Sequence, residues 1–294
     1  MTRIAIITHK FDQFLRRSYL LGSILKEVEQ AGIEVEVTHR RRQFVRADLA
    51  ILHVSSTIIP PEYVALAKRY PRTLNLAVND VRKSRISGAA LRRGEPWDGP
   101  VIVKTEFNAR GGAELFHNRL ATKRSKPLPY PGLAKARAYE VFERAADVPD
   151  AIWRDPALAV EKFMPERDPC GYALRTWVFM GSHETCSRCI APNPVVKGEA
   201  VISREMIAVP DDLRAVRRRL GFDYGKFDYV EHDGKSVLLD ANPTPQIPAN
   251  LSDVLSRSAK QLAPGLLELL SQTASSTGSH GLLGRIARRF TTGA

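Results

Sequence analysis

The chain has 294 residues but only three cysteines, Cys170, Cys186 and Cys189. An odd number without a secretory signal does not build a disulfide framework. His183, Cys186 and Cys189 have metal-like spacing, with Cys170 as a conceivable fourth ligand. However, "RTWVFMGSHETCSRCIAP" reads as two strands joined at "GSHE". Residues three apart on a strand point to opposite faces, so Cys186 and Cys189 could not chelate one ion. Long apolar runs are missing too. None approaches the roughly 20 residues that span a bilayer. The opening "MTRIAIITH" lacks the apolar region and small-residue cleavage site of a signal peptide. A cytoplasmic protein without a membrane partner is expected. There is no G-x-S-x-G nucleophile elbow. There is no Walker A loop either: "GFDYGKF" has too few residues between its glycines and no Ser or Thr after the lysine. Zinc-finger spacing and an RNA-binding aromatic signature are also absent.

Negative charge is in deficit. Forty-four Lys and Arg oppose 32 Asp and Glu, a formal net charge of +12. Such an excess favours anionic partners, either phosphorylated small molecules or nucleic acid. The basic residues form no single stripe. They are scattered through "HRRRQFVR", "VRKSR", "LRRG", "TKRSK" and "RAVRRRL", and much of this reads as solvated helix surface. Nucleic acid is therefore the weaker alternative.

The chain begins β-α-β. "RIAIITH" is a strand, "RSYLLGSILKEVEQAG" an amphipathic helix stopped at Gly32, and "IEVEVTH" an alternating strand. "ADLAILHV", a proline-opened helix "PPEYVALAKRY" and "RTLNLAV" follow. This is a small α/β lobe with a mostly parallel sheet, spanning residues 1–78. "NDVRKSRISGAALRRG" reads as a helical link. "GPVIVKTEFNARGGAE" is a β-branched run ending in Lys104, followed by a loop with Gly111 and Gly112. A helix-rich basic region, the strand "ALAVEKFMPERD", two further strands and the helix "PDDLRAVRRRLG" come next. "LSDVLSRSAKQLAPGLLELLSQ" reads as a closing helix pair. The second unit spans 79–272, and residues 273–294 are a Ser/Thr/Gly-rich basic tail expected to be mobile.

Between the last two helical regions lies a hairpin, "YGKFDYVEHDGKSVLLDAN", that runs into "PTP". Asp240 and Asn242 are two apart on its second arm and share a face. Two prolines end the strand soon after. Whether Asp228, on the first arm, joins them depends on register. A two-residue Asp233-Gly234 turn pairs His232 with Lys235 and sets Asp228 and Asp240 on opposite sides. A three-residue loop, 233–235, pairs His232 with Ser236, Asp228 with Asp240 and Lys226 with Asn242. Two opposed carboxylates are unfavourable unless a cation sits between them. Two acids and an amide suit magnesium, which takes few ligands from protein. The odd-length loop, with Asp228, Asp240 and Asn242 as metal ligands, is therefore expected.

The order of these pieces resembles the ATP-grasp superfamily, carboxylate–amine ligase type, as in D-alanine–D-alanine ligase-like and RimK-like proteins. The resemblance rests on "VIVKTEFNARGG", "VEKFM", "ALRTWVFMG" and "KFDYV…VLLDANPTP" and spans roughly residues 1–270. It implies an α/β (α+β) fold: an N-terminal Rossmann-like pre-ATP-grasp lobe, then a two-subdomain ATP-grasp fold with antiparallel sheets. It implies ATP with Mg²⁺, or Mn²⁺ in its place. Lys104 matches the lysine that reaches the nucleotide phosphates, and 108–112, with Gly111 and Gly112, the loop that covers them. Glu161, Lys162, Phe163 and Met164 match the adenine hinge, and Asp168 the acid on the ribose. Asp228, Asp240 and Asn242 match the metal ligands. Arg175 and Arg188 match arginines that steady the transferred phosphate, although Arg175 suits a structural ion pair equally well. An early phosphate-binding lysine would fall near Val81 or Lys83. The family's middle metal ligand is most often glutamate, and this chain has Asp240.

The implied activity joins a carboxylate, small or peptide-borne, to an amine through an acyl phosphate, with ATP going to ADP and phosphate. The alternatives are phosphoryl transfer to a hydroxyl on the same fold, a non-catalytic nucleotide binder and a basic nucleic-acid binder. Arg204, Arg214 and Arg217 would suit an acidic substrate or plain surface. Homodimers are common in this fold, but no sequence feature specifies one.

Overall fold

The computed structural model describes residues 2–39, 44–133, 138–247 and 252–276. Its first part is a parallel sheet. Strands β1 (Arg3–Ile7), β2 (Glu34–Thr38), β3 (Leu49–Leu52) and β4 (Thr73–Leu74) lie in the order β2-β1-β3-β4. β1 and β3 are almost wholly apolar because both faces are covered. Helix α1 (Leu20–Glu29) packs Leu21, Ile24 and Val28 against Ile4, Ile6 and Ile51. Helix α2 (Pro61–Ala67) closes the other face, against Ala5, Ile7 and Leu52.

The last strand of this sheet is much shorter than "RTLNLAV" suggests. Asn75 takes a left-handed φ of 59° and turns the chain away. Its side chain accepts hydrogen bonds from the Asp223 and Tyr224 amides at 2.9 and 3.1 Å and donates to the Tyr224 carbonyl at 2.8 Å. A tertiary clasp has overridden a β-prone run. The expected helical link reduces to one turn, α3 (Lys83–Ile86).

Two antiparallel sheets follow. The smaller has β5 (Val101–Thr105) between β6 (Glu140–Phe142) and β7 (Leu158–Lys162). Helix α4 (Gly112–Lys123) follows β5, and the short α5 (Asp150–Arg154) precedes β7. The larger contains β8 (Glu166–Asp168), β9 (Gly171–Met180), β10 (His183–Ala191), β11 (Ser203–Met206), β12 (Tyr224–His232) and β13 (Lys235–Asn242). Their order is β11-β10-β9-β12-β13, with β8 against the start of β9. Helix α6 (Asp211–Leu220) covers one face, setting Leu213 on Trp177, Phe179 and Phe227.

The expected closing helix pair is one helix, α7 (Ser252–Ser276), with Pro264 inside it. Packing holds it together: Leu262, Ala263, Leu266 and Leu270 join the core shared with α1. At Gly265 the helix backbone approaches β9 so closely that an added Cβ would stand 2.0 Å from the Met180 carbonyl oxygen. The helix also runs past Thr273, where a tail was expected, while 277–294 lie outside the described residues. No helix among the described residues is long and apolar enough to cross a membrane.

Candidate active site

The hairpin β12–β13 reaches the expected pairing by a different route. Its turn is the two-residue Asp233-Gly234, with φ of 50° and 70°, and His232 pairs with Lys235. Positive φ at both central residues matches the twist of the flanking strands. The odd-length loop is thus corrected. Asp228 nevertheless stands opposite Asp240, and Lys226 opposite Asn242, because the register shifts between Asp228 and Tyr229. Tyr229 pairs with Leu238 and Asp228 with Asp240, so Leu239 is the extra residue of a β-bulge. The bulge turns both Leu239 and Asp240 into a cleft between the two antiparallel sheets.

That cleft is also lined by Lys83, Ile102, Lys104, Ala109 and Tyr139, by residues 162–165, and by Asp228. Roomier hollows lie elsewhere, one beside α6 with Arg214 and Arg218 and another around Trp153, but neither holds opposed carboxylates. Each acid in the cleft has its lysine. Lys83, 5% exposed, donates to Asp240 Oδ1 at 2.9 Å. Burial alone would lower the Lys83 pKa, but the charges of Asp240 and then Glu161 hold it above the ordinary lysine value. Burial would likewise raise Asp240, and Lys83 above all holds it down. Lys226 Nζ lies 2.9 Å from Asp228 Oδ2, and Thr176 Oγ1 donates to Asp228 Oδ1 at 2.9 Å.

Lys104 ends β5. It pairs with Ala159, which places Glu161 diagonally across on the same face. Its Nζ lies 2.5 Å from Oε2 of the fully buried Glu161, yet neither Glu161 oxygen has a correctly directed hydrogen bond. Glu161 thus sits between two lysines, in direct contact with Lys104 and within the field of Lys83. In the hinge, the Lys162 and Phe163 amides are taken by the Ala89 and Pro100 carbonyls, each at 2.8 Å. The side chains of Phe163 and Met164 face the cleft, with Leu174, Val230 and Leu239.

The loop after β5 is strained. Ala109, Arg110 and Gly111 have consecutive left-handed φ of 45°, 57° and 71°. For the two non-glycines this costs on the order of 1–3 kcal/mol each. Two bonds hold the loop to the first lobe. The Asn108 amide donates to Thr57 Oγ1 at 2.8 Å, and the Thr57 amide to Glu114 Oε1 at 2.6 Å. Gly111 and Gly112 lie at the N-terminal end of α4, next to Ala109 at the cleft wall.

Arg175, Arg188 and Asp168 stand apart from this group. Asp228 pairs with Thr176, so the neighbouring Arg175 points to the opposite face of the sheet. Arg188 is directly across from Arg175 and shares that face. Both arginines are held by Glu166, at 3.0 and 2.9 Å. Arg175 also reaches Glu231 at 2.8 Å, and Arg188 reaches Asp168 at 2.8 Å. The Cys170 amide and then Arg188 hold Asp168 below the usual carboxylate range. A place at a transferred phosphate does not fit two arginines that face away from Asp228 and are already paired.

Comparison with known proteins gives a mixed return. No family profile and no curated protein matches the sequence. Solved structures do. The D-alanine–D-alanine ligase from Bacillus anthracis, complexed with ATP, superposes with a TM-score of 0.48 at 12% identity, covering 94% of this chain and 98% of that one. A RimK domain ATP-grasp protein from Sphaerobacter thermophilus gives 0.46 at 13%, covering 90% and 100%. The ATP-grasp ligase PsnB, complexed with a phosphomimetic variant of its minimal precursor, Mg and ADP, gives 0.50 at 12%, covering 90% and 99%. The chain has the ATP-grasp fold.

The cleft is lined by Lys104, 162–164, Asp228 and Asp240, while Glu161 and Asn242 are not among its lining residues and Arg175, Arg188 and Asp168 are held in ion pairs elsewhere. It adds Lys83, Tyr139 and Leu239, with Lys226 paired to Asp228 beside it. Of Val81 and Lys83, between which the sequence leaves a choice, Lys83 lines the cleft and Val81 belongs to the apolar core under α6. Lys226 was legible from strand periodicity, two residues before Asp228 on the same face. Asn242 shares that face, and its Oδ1 accepts the Thr244 amide at 2.9 Å, which orients it.

Proposed function

We propose that this cleft binds ATP and that the protein is an ATP-dependent ligase that activates a carboxylate for attack by an amine. The observation that carries the reading is the convergence of Lys83 and Lys104 with the opposed Asp228 and Asp240 in one cleft of an ATP-grasp fold. A substrate carboxylate oxygen attacks the γ-phosphorus. The new O–P bond forms as the bond to the β-phosphate oxygen breaks, and ADP leaves. The amine nitrogen then attacks the acyl carbon. The C–N bond forms, the C–O bond to phosphate breaks, and the nitrogen gives up a proton.

Positioning and charge neutralisation are most of what phosphoryl transfer asks of a protein. Lys83 and Lys104 bring ammonium groups to the phosphate oxygens, where charge develops in the transition state. Asp228, Asp240 and Asn242 are hard oxygen donors on one face, and they fit magnesium, with Asp240 the least encumbered of the three. Bound there, magnesium supplies charge neutralisation between nucleotide phosphates. Phe163, Met164, Leu174 and Leu239 offer an apolar bed for a base. The strained loop at 108–112 covers the phosphate end and excludes water, which would otherwise hydrolyse the acyl phosphate.

Hydroxylamine distinguishes this reaction from phosphoryl transfer to a hydroxyl. With ATP, magnesium and a panel of carboxylates, the protein is expected to release ADP and form a hydroxamate from at least one carboxylate. ADP released in step with a phosphorylated alcohol, and no hydroxamate from any acid, would reassign it as a kinase.

A further inference from the structure

Lys226 is paired with Asp228 on the first arm of the hairpin, and its placement bears on how many divalent ions the site holds. Four side chains on the cleft face of the hairpin form a rectangle. Asp228 is opposite Asp240, and Lys226 is opposite Asn242. Lys226 Nζ lies 2.9 Å from Asp228 Oδ2, and the Thr176 hydroxyl donates to Oδ1 at 2.9 Å. Both oxygens of Asp228 are therefore engaged by groups on β9 and β12. A divalent ion on Asp228 would have to displace one of them and would lie close to the Lys226 ammonium, which repels it. Asp240 differs. Among the described residues its carboxylate bonds only Lys83, through Oδ1, which leaves Oδ2, and Asn242, whose Oδ1 accepts from the Thr244 amide and hydroxyl, stands two residues along on the same face.

We infer that the Lys226 ammonium serves in place of one divalent cation, so that the nucleotide complex holds a single divalent ion on the Asp240–Asn242 side. This rests on the reading of the cleft as a nucleotide site. A tethered ammonium neutralises Asp228 permanently, whereas an ion does so only when bound. It donates up to three hydrogen bonds but accepts none. It can thus bridge Asp228 to a phosphate oxygen without entering an ion's coordination sphere. The divalent-ion dependence should accordingly be simple, with no second, weaker ion required.

The test counts metal directly. The protein is saturated with Mn²⁺ and a non-hydrolysable ATP analogue and freed of excess by gel filtration. Retained manganese and nucleotide are then measured per chain, with electron paramagnetic resonance for ion–ion coupling. The wild type is expected to retain one ion per nucleotide with no coupling. Lys226→Met frees Asp228 and should retain two, with a coupled spectrum, while Lys226→Arg should return the count to one. Two coupled ions in the wild type would overturn the inference without recourse to any variant. So would a folded Lys226→Met protein that still holds one. A protein that retains no nucleotide would overturn the nucleotide reading and this inference with it.

Discussion

Asp240→Ala is expected to lower ATP turnover at least ~10³-fold, because it removes the proposed metal ligand that also pairs with Lys83. It should also weaken the fold. Lys83 has a side chain only 6% exposed, and Asp240 is its hydrogen-bonded partner. Removing one member of a fully buried pair costs about 3–5 kcal/mol, and since Asp240 keeps 27% exposure a loss of about 2–3 kcal/mol is expected here. Urea titration measures that loss. The double variant Lys83→Met, Asp240→Ala should recover most of the stability and none of the activity, since no buried charge is then left alone. A single variant that keeps wild-type turnover would remove Asp240 from the reacting centre.

The second large effect is acid lability. Three histidines are buried among aromatic rings: His9 is 2% exposed, and His53 and His117 are fully enclosed. His9 stacks on His117 with ring centroids 3.9 Å apart, and His53 meets Tyr19 edge-on at 4.7 Å. Among the described residues, neither nitrogen of His53 or His117 has a hydrogen-bond partner. Burial, seconded by the Lys10 charge, pushes His9 down to about 4. Burial and then Arg17 push His53 down to about 3, and burial and then the His9 charge push His117 down to about 2. All three folded-state values lie below the ordinary histidine value. The neutral forms therefore favour the folded state, with full effect above about pH 6.5 and a progressive loss as the pH falls below it. At pH 5 each histidine withdraws roughly 2 kcal/mol, or roughly 6 kcal/mol together, comparable to the whole stability of many domains. Thermal unfolding should thus collapse between pH 6 and pH 5. His117→Phe should flatten the slope by about a third. A melting temperature that stays level from pH 7 to pH 5 would contradict this account of the buried rings.

The parts of the fold that were legible in the sequence are those set by local period and by turn chemistry. β1, α1, β2 and β3 follow from apolar spacing, and the Asp233-Gly234 turn from residue type. What was hidden depended on partners distant in sequence. Asn75 ends β4 because Asp223 and Tyr224, almost 150 residues on, satisfy its amide. α7 stays whole through Pro264 because two lobes bury its leucines. The acid pair is the most instructive case. A longer loop would bring Asp228 across from Asp240, but a bulge at Leu239 achieves the same shift within the strand. Nothing in "SVLLDAN" marks which leucine is extra. The arginines illustrate the converse. One residue of register separates Thr176, which touches Asp228, from Arg175, which faces away, and a motif match does not resolve that pleat.

The central claim is that the nucleotide lies between the two antiparallel sheets, and calorimetric titration of a non-hydrolysable ATP analogue with magnesium tests it most directly. Lys104→Ala and Lys83→Met should each weaken binding at least ~30-fold, since each removes a charge-assisted phosphate contact in a partly dry cleft. Arg218→Ala, in the roomier basic hollow beside α6, should leave binding unchanged. Undiminished affinity in both lysine variants, with loss in Arg218→Ala, would move the nucleotide out of the cleft and contradict the account.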